Sequence, residues 1–294
     1  MRVFVTGATG QLGYDCLREC MKRGHEVTGC DTRAAADSVF CLDIKQETDV
    51  RAAVEKAEPD VIIHCAAWTD VDAAELPENR ETVFAVNADG TANIAKAAKA
   101  VGAKMIYISS DYVFDGQGET PWKPDDSASP LNIYGQSKLD GERAANSLLD
   151  RLFIVRTSWA FGINGKNFAD TMLRIGKVRD TVRVVCDQVG TPTYTADLAG
   201  LLLDMAETEK YGCYHAANEG DYISWYEFCC ELFRQTGMNT TVVPVSTAEY
   251  GQNIAARPSN SRLDKSKLPE CGFSLLPDWR NAVARYLRER EMNE

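Results

Sequence analysis

The chain has 294 residues, of which 45% are hydrophobic and 26% are charged, a composition typical of a globular protein with a substantial core. Its net charge of −11 argues against nucleic acid or an anionic membrane as partner, but it is compatible with a phosphorylated small ligand that meets local positive charge. No apolar run approaches the roughly 20 residues of a transmembrane helix, and a strand begins at Arg2 without a preceding signal peptide, so we expect a cytoplasmic protein.

In chain order, the first half of the sequence alternates strand-like and helix-like segments. Strands are predicted at residues 2–6, 26–31, 39–43, 61–67, 104–110 and 153–158. Helices are predicted at residues 11–23, 47–57, 79–101 and 134–148. Several of the strands are continuously apolar, as is typical of strands covered by helices on both faces. The alternation predicts an α/β fold with a doubly wound parallel sheet, the Rossmann arrangement.

After about residue 160 the pattern is less regular. Helices are predicted at residues 167–177, 196–207, 224–236 and 278–291, and short strands at residues 182–186 and 241–245. We therefore predict an NAD(P)-binding Rossmann domain at residues 1–158 and a smaller α/β substrate-binding region at residues 159–294. Crossover segments of the second region are expected to return to the Rossmann sheet.

A glycine-rich loop lies between the first predicted strand and the first predicted helix, where residues 7–13 read GATGQLG. Glycines in this place allow a tight turn and let the backbone approach a pyrophosphate, whose charge then meets the helix N-terminus. The G-x-x-G-x-x-G spacing is weak evidence alone, but its position at the first β–α junction makes it strong. We expect cofactor contacts from the following loop residues: Gly7, Gly10, Gln11, Leu12 and Gly13.

Acidic residues end the second and third predicted strands. Asp31 is placed to accept hydrogen bonds from the adenosine ribose hydroxyls, which favours NADH. Arg33, two residues on, is suited to cover the 2′-phosphate of NADPH, so the choice between the two cofactors stays open. Asp43 is a weaker candidate for contact with the adenine amino group.

A tyrosine and a lysine stand four residues apart on the helix predicted at residues 134–148. Tyr134 and Lys138 therefore share one helix face, and a nearby ammonium group favours the phenolate of a tyrosine whose ordinary pKa is about 10. The lysine can also hold the nicotinamide ribose. Ser110 ends the fifth predicted strand, at the sheet edge where ligands bind, and its hydroxyl can bond a substrate carbonyl. The three residues predict carbonyl reduction by hydride transfer.

These motifs resemble the extended short-chain dehydrogenase/reductases. The resemblance includes residues 7–13, 64–67 (HCAA), Asn87, 109–116 (SSDYVFDG) and 134–142 (YGQSKLDGE). Within the family, the sequence is most similar to reductases of nucleotide-linked 4-keto-6-deoxy-hexoses. That similarity extends through residues 156–159 (RTSW), 165–168 (GKNF), 187–194 (DQVGTPTY) and 257–264 (RPSNSRLD).

The resemblance implies the catalytic residues and their neighbours. Ser110, Tyr134 and Lys138 form the family's catalytic triad, in which the position of Ser110 is more often threonine. The resemblance also places Ala66 and Ala67 beside the cofactor.

The resemblance also implies a sugar site. Tyr112 and Trp159 are expected beside the sugar, and Asn167 among the substrate contacts, although Trp159 on its own is more typical of a core residue. Arg257 is our candidate for the substrate pyrophosphate, because the C-terminal half offers few other cations in a motif.

The implied reaction is hydride transfer from NADPH or NADH to C4 of a dTDP-linked 4-keto-6-deoxy-hexose, with Tyr134 as proton donor. Nucleotide-sugar dehydratases and epimerases are an alternative, but dehydration typically uses an Asp-Glu pair, and here Tyr112 follows Asp111. A second alternative is a non-catalytic NADP-binding protein like the regulatory subunit of methionine adenosyltransferase, which resembles residues 107–142. Trp159 and residues 187–188 favour the reductase. A homodimer stays open, and no cluster of metal ligands is visible.

Overall fold

The computed structural model describes residues 1–33, 39–251 and 253–292. Its strands are β1 (Arg2–Thr6), β2 (Glu26–Asp31), β3 (Val39–Cys41), β4 (Val61–His64), β5 (Lys104–Ser110), β6 (Leu152–Thr157), β7 (Ala160–Phe161), β8 (Thr181–Val185), β9 (Val189–Gly190), β10 (Thr193–Tyr194), β11 (Gly212–His215), β12 (Asn218–Glu219), β13 (Ile223–Ser224), β14 (Thr241–Val245) and β15 (Leu276–Asp278). Its α-helices are α1 (Gln11–Lys22), α2 (Glu47–Ala57), α3 (Val71–Ala74), α4 (Arg80–Phe84), α5 (Gly90–Val101), α6 (Ile133–Leu148), α7 (Phe168–Gly176), α8 (Thr195–Ala206), α9 (Trp225–Thr236), α10 (Thr247–Tyr250), α11 (Lys267–Glu270) and α12 (Trp279–Glu291). Over these three described ranges, none of the helices combines the length and the apolar character needed to cross a membrane.

Seven parallel strands form the central sheet, in the order β11-β6-β5-β4-β1-β2-β3. The strand order changes direction between β1 and β4, so the chain leaves these neighbouring strands toward opposite sides. In open α/β sheets such a switch point opens a crevice at the carboxyl ends of the strands, where ligands bind. The predicted doubly wound parallel sheet is confirmed, and its crevice lies beside the glycine-rich loop that follows β1.

Apolar layers cover both faces of this sheet. On one face α1 and α8 pack together over the strands, with Cys16 and Leu202 fully buried. On the other face α2, α5 and α6 contribute Val54, Ile94 and Ala145. Burying a Val, Leu or Ile side chain contributes about 1.5–3 kcal/mol relative to leaving it exposed, so these two layers hold the sheet and the loops at its edge in place.

The helix predicted at residues 79–101 differs from the prediction in one respect. It is continuous from α4 to α5, but residues 85–89 between them form a π-helical turn. Asn87 lies in this turn, and its amide donates to the carbonyl of Trp68 at 3.1 Å and to Ser137 Oγ of α6 at 2.9 Å. Single π-turns inside α-helices often occur near functional sites, and this one connects α6 to the loop after β4.

The second half of the chain builds a separate apolar cluster from α7, α9 and α12 around the parallel pair β8 and β14. α9 begins with a capping box between Ser224 and Glu227 and ends at Gly237, which explains why its limits were predictable. β11 also comes from this half, but it pairs with β6 in the central sheet. The division of the chain at residue 158 stays a prediction.

Candidate active site

A cleft of about 870 Å³ lies along the carboxyl edge of the central sheet. It brings together most of the predicted site residues: Gly7, Gly10, Gln11, Leu12, Gly13, Asp31, Asp43, Ala66, Ala67, Ser110, Tyr112, Tyr134, Lys138 and Trp159. Three predicted residues, Arg33, Asn167 and Arg257, do not line it. Residues separated by more than half of the sequence therefore meet in one crevice.

The glycine loop turns so tightly that side chains do not fit. Gly7 has a φ of +65°, and a Cβ there would lie 2.6 Å from the backbone nitrogen of Ala66. A Cβ at Gly13 would lie 2.1 Å from the carbonyl oxygen of Gly7. These contacts require glycine at both positions and press the loop against the chain that follows β4.

The loop leads into the N-terminus of α1, which faces the cleft through Gln11, Leu12 and Gly13. No side chain caps this end, and the first turn contains no acidic residue. The backbone N–H groups and the positive end of the helix dipole are therefore available to an anion. This arrangement fits the diphosphate of a dinucleotide.

The acidic residues after β2 and β3 differ in their surroundings. Asp31 Oδ2 accepts hydrogen bonds from the backbone nitrogen and the hydroxyl of Thr9, at 3.1 and 2.7 Å, so this carboxylate also braces the glycine loop. Asp43 lies 3.4 Å from the ammonium of Lys45, a cation in the cleft wall that the sequence analysis did not identify. Arg33 is exposed and precedes the undescribed residues 34–38.

Ser110 at the end of β5 and Tyr134 at the start of α6 both line the cleft. The Ser110 hydroxyl donates to Asp111 Oδ1 at 2.9 Å and accepts from the backbone nitrogen of Tyr112 at 3.2 Å. Burial raises the pKa of Tyr134 well above its usual value, while its interaction with Ser110 acts in the opposite direction. The phenol is therefore held in its protonated form.

The sequence predicts a role for Asp111 only as evidence against dehydration. In the structure its carboxylate accepts a hydrogen bond from Ser110. The side chain is 2% exposed, and this burial raises its pKa to about 6, against the hydrogen bonds from Ser261 and Ser110, which lower it. A carboxylate that is ionised at neutral pH accepts the serine hydrogen and fixes the orientation of the hydroxyl.

Lys138 lies one helical turn from Tyr134, as predicted. Burial lowers the pKa of its ammonium group to about 7, against opposing effects of Glu142 and Cys65. The ammonium nitrogen lies 4.3 Å from the ring centroid of Tyr107. The effect of the lysine on the phenol of Tyr134 stays a prediction.

Trp159 is part of the cleft wall rather than the core. Its backbone has a φ of +50°, in the left-handed region that a side chain other than glycine rarely adopts. Its ring stacks on Trp225 with centroids 3.7 Å apart, and its carbonyl accepts from the backbone nitrogen of Thr193. These contacts hold the unusual backbone, which turns the indole toward the cleft.

Asn167 and Arg257 lie beside the cleft and have protein partners. Asn167 caps α7, and its amide donates to Gln11 Oε1 at 3.0 Å, so it contacts the glycine loop. Arg257 donates to Asp72 Oδ2 at 2.6 Å and to the Tyr112 hydroxyl at 3.3 Å. Its guanidinium therefore contacts a residue of the cleft wall, Tyr112.

The cleft residues that the sequence analysis did not propose include Lys45, Asp111, Lys166 and Trp225. Lys166 stands within the GKNF segment and Asp111 within the SSDYVFDG segment, so inspection of every polar residue in those motifs would have found both. Trp225 gave no signal, since it begins a helix of the second region and reaches the cleft by stacking on Trp159.

Comparison with known proteins gives matches over nearly the whole chain. The family model of the RmlD substrate binding domain matches residues 1–292. The spore coat polysaccharide biosynthesis protein SpsK of Bacillus subtilis (strain 168) is 36% identical over 289 residues, which cover 98% of each protein. A dTDP-4-dehydrorhamnose reductase of Aggregatibacter actinomycetemcomitans is 38% identical over 296 residues, covering 96% of this chain and 97% of the relative.

A solved structure is also similar over nearly the whole chain. The crystal structure of the dTDP-4-dehydrorhamnose reductase of Bacillus anthracis strain Ames, in complex with NADP, has a TM-score of 0.92 and 41% sequence identity. The superposition covers 98% of this chain and 99% of that chain. The similarity thus includes both the sheet that bears the glycine loop and the region that contributes Trp159.

Proposed function

This chain belongs to the RmlD substrate binding domain family, and we propose that it reduces the C4 ketone of dTDP-4-dehydrorhamnose to give dTDP-L-rhamnose, with NADPH or NADH as hydride donor. It is thus an NAD(P)-dependent oxidoreductase, and the predicted resemblance to nucleotide-sugar reductases is confirmed. The observation that carries the proposal is that Ser110, Tyr134 and Lys138 line the same cleft as the glycine loop.

The cofactor supplies the hydride, and the residues of this chain control the proton and the ketone. We assign the proton donor to Tyr134, whose raised pKa keeps the phenol protonated until charge develops on the C4 oxygen. In this assignment the Ser110 hydroxyl turns from Asp111 to the ketone oxygen and donates a second hydrogen bond that stabilises the same charge.

Lys138 has a separate role in the proposal. It holds the nicotinamide ribose, and the same contact draws its ammonium from the ring of Tyr107 toward the phenol. Positive charge there would stabilise the phenolate left after proton transfer. The glycine loop, Asp31, Asp43, Ala66 and Ala67 complete the cofactor site.

We place the nucleotide sugar between Tyr112, Trp159 and Arg257. Tyr112 packs edge-on against Tyr134, with ring centroids 5.5 Å apart, so a sugar held by Tyr112 lies next to the proton donor. Trp159 provides a flat apolar wall, and Arg257 provides the charge for the diphosphate. A cytoplasmic location and a role in cell-surface polysaccharide synthesis remain part of this proposal, as does the substrate contact assigned to Asn167.

Binding of dTDP alone tests the substrate site. We expect dTDP to raise the melting temperature in proportion to the logarithm of its excess over Kd, because it binds only the native state. Arg257→Ala should weaken dTDP binding by about 1.5–3 kcal/mol, the value of a charge-assisted hydrogen bond. Thermal shift and calorimetric titration measure both effects. Arg174→Ala, on the exposed face of α7, is the matched control and should bind dTDP normally.

The opposite result identifies the alternative function. If NADP protects the protein but dTDP does not, and a panel of dTDP-4-keto-sugars is not reduced, the chain acts as an NADP-binding partner protein. Reduction by wild-type protein together with unchanged dTDP affinity in Arg257→Ala would remove only Arg257 from the substrate site.

Asp31 is expected to set the balance between the two cofactors. A carboxylate near the 2′-position repels the phosphate of NADPH, so Asp31→Ala should shift the ratio of kcat/KM values toward NADPH by roughly tenfold, or about 1.4 kcal/mol. Both values should also fall, because Asp31 braces Thr9 of the glycine loop. Thr9→Val removes the hydroxyl contact but keeps the charge, so its ratio should match the wild type. An unchanged ratio in Asp31→Ala contradicts the assignment.

A further inference from the structure

Three segments meet at the sugar end of the cleft: the short helix α3, residues 254–257, and the start of α6. α3 follows β4, whereas residues 254–257 come from the C-terminal part of the chain, and α6 carries Tyr134 and Lys138. We call residues 254–257 the strap, because they cross from α3 to α6. The strap ends in Arg257.

A single carboxylate, that of Asp72, attaches the strap to α3. Its Oδ1 accepts from the backbone nitrogens of Ile254 and Ala255, at 3.0 and 2.9 Å. Its Oδ2 accepts from Arg257 Nη2 at 2.6 Å. The side chains of Asp72 and Arg257 are 33% and 16% exposed, so this ion pair is partly shielded from water and is worth more than a surface pair.

Further hydrogen bonds connect the same junction to the catalytic helix. The Asn132 amide donates to the carbonyl of Ala256 at 2.9 Å, while its oxygen accepts from the backbone nitrogen of Gly135 and caps α6. Glu75, at the end of α3, accepts from the backbone nitrogen of Ile133 at 2.7 Å. The strap, α3 and the first turn of α6 are therefore held in one fixed arrangement.

We propose that Asp72 is a positioning residue for the nucleotide-sugar site, which seats the strap and presents Arg257 to Tyr112 and to the substrate diphosphate. One oxygen fixes the strap backbone and the other fixes the guanidinium, so the arginine is oriented before substrate arrives. Pre-organisation of this kind raises affinity because less side-chain freedom is lost on binding. The other terminal nitrogen of Arg257, Nη1, donates to the Tyr112 hydroxyl at 3.3 Å. The inference rests on the proposed function, since it assigns the partner of a substrate-binding arginine.

Asp72→Asn is the decisive variant. An amide at position 72 turns an N–H group toward the guanidinium or toward the strap nitrogens, so it cannot satisfy all three donors. We expect the KM for the nucleotide sugar and the Kd for dTDP to rise about tenfold or more. The Kd for NADPH and the melting temperature should stay near the wild-type values, because Asp72 does not line the cleft and lies in a short surface helix. A merely structural role would lower the melting temperature and change both ligands together.

Hydrogen exchange gives a readout that needs no activity. The amides of Ile254 and Ala255 should exchange about tenfold faster or more in Asp72→Asn, since their acceptor is the altered group. Asp70→Asn is the matched control: it removes the same charge from the same helix, where the Asp70 side chain accepts from the backbone nitrogen of Ala73 and asparagine caps equally well. The control should leave exchange and KM unchanged.

Combination with Arg257→Ala separates the possible failures. If Asp72 acts through Arg257, Asp72→Asn should weaken dTDP binding no further in the Arg257→Ala background. Additive losses, or a fall in KM after removal of the Asp72 charge, would overturn the proposal. If wild-type protein reduced no nucleotide sugar, the proposed function would fail, while the exchange and dTDP measurements would still decide whether Asp72 seats the strap and Arg257.

Discussion

Tyr134→Phe is expected to slow reduction of the ketone about 10²–10⁴-fold, the usual contribution of a general acid, and to leave cofactor affinity nearly unchanged. The variant removes one oxygen and keeps the ring, so the edge-on contact with Tyr112 is retained. The hydrogen bond from Ser110 to Asp111 does not depend on the phenol and is also retained. The substitution should therefore lower kcat and leave the stability of the folded protein nearly unchanged.

Single-turnover oxidation of NADPH, with cofactor titration by fluorescence, measures the two quantities separately. Tyr211→Phe is the control, because its hydroxyl accepts from Arg151 at 3.1 Å, near the start of β6 and far from the cleft. It should turn over at the wild-type rate. A near-normal rate in Tyr134→Phe would remove this tyrosine from the mechanism and leave Ser110 and a solvent proton as the alternative.

The proposed cofactor site could be predicted in part, because several of its residues depend on local chain geometry. Gly7 and Gly13 stand where a Cβ would collide with backbone, and such positions exclude every other residue. Tyr134 and Lys138 share a helix face through their spacing alone. Patterns of this kind involve residues that are close in sequence, so they can be predicted without knowledge of the tertiary structure.

The geometry of the proposed sugar site was harder to predict, because it depends on partners that are distant in sequence. Trp159 reaches the cleft through a left-handed backbone and a stacked ring from α9. Arg257 is directed by Asp72, far earlier in the chain, and no spacing rule connects them. The direction of the Lys138 ammonium likewise follows from Tyr107 on a neighbouring strand, not from the helix that carries the lysine. Tertiary contacts of this kind decide where a side chain points after local structure is set.

Arg156→Met is expected to lower the free energy of unfolding by about 3–5 kcal/mol, the cost of leaving a buried charge without its partner. Arg156 on β6 donates to both carboxylate oxygens of Glu142 on α6, at 2.8 and 2.7 Å, and the side chains are only 8% and 6% exposed. The pair connects α6 to the sheet one helical turn beyond Lys138. Urea denaturation measures the change.

An exposed pair on the same helix provides the comparison. Arg143 donates to Asp140 at 3.0 Å and its side chain is 64% exposed, so Arg143→Met should cost less than about 1 kcal/mol. The double variant Glu142→Leu with Arg156→Met should recover much of the stability lost in Arg156→Met, because no unpaired charge then remains buried. It should nevertheless reduce ketone more slowly than wild type, since α6 would keep its place by apolar contact alone, without the two directional bonds that orient Tyr134 and Lys138. If the double variant and Arg156→Met lost the same free energy of unfolding, the unpaired buried charge would not be the cause of the loss. The packing of the two side chains would then explain it.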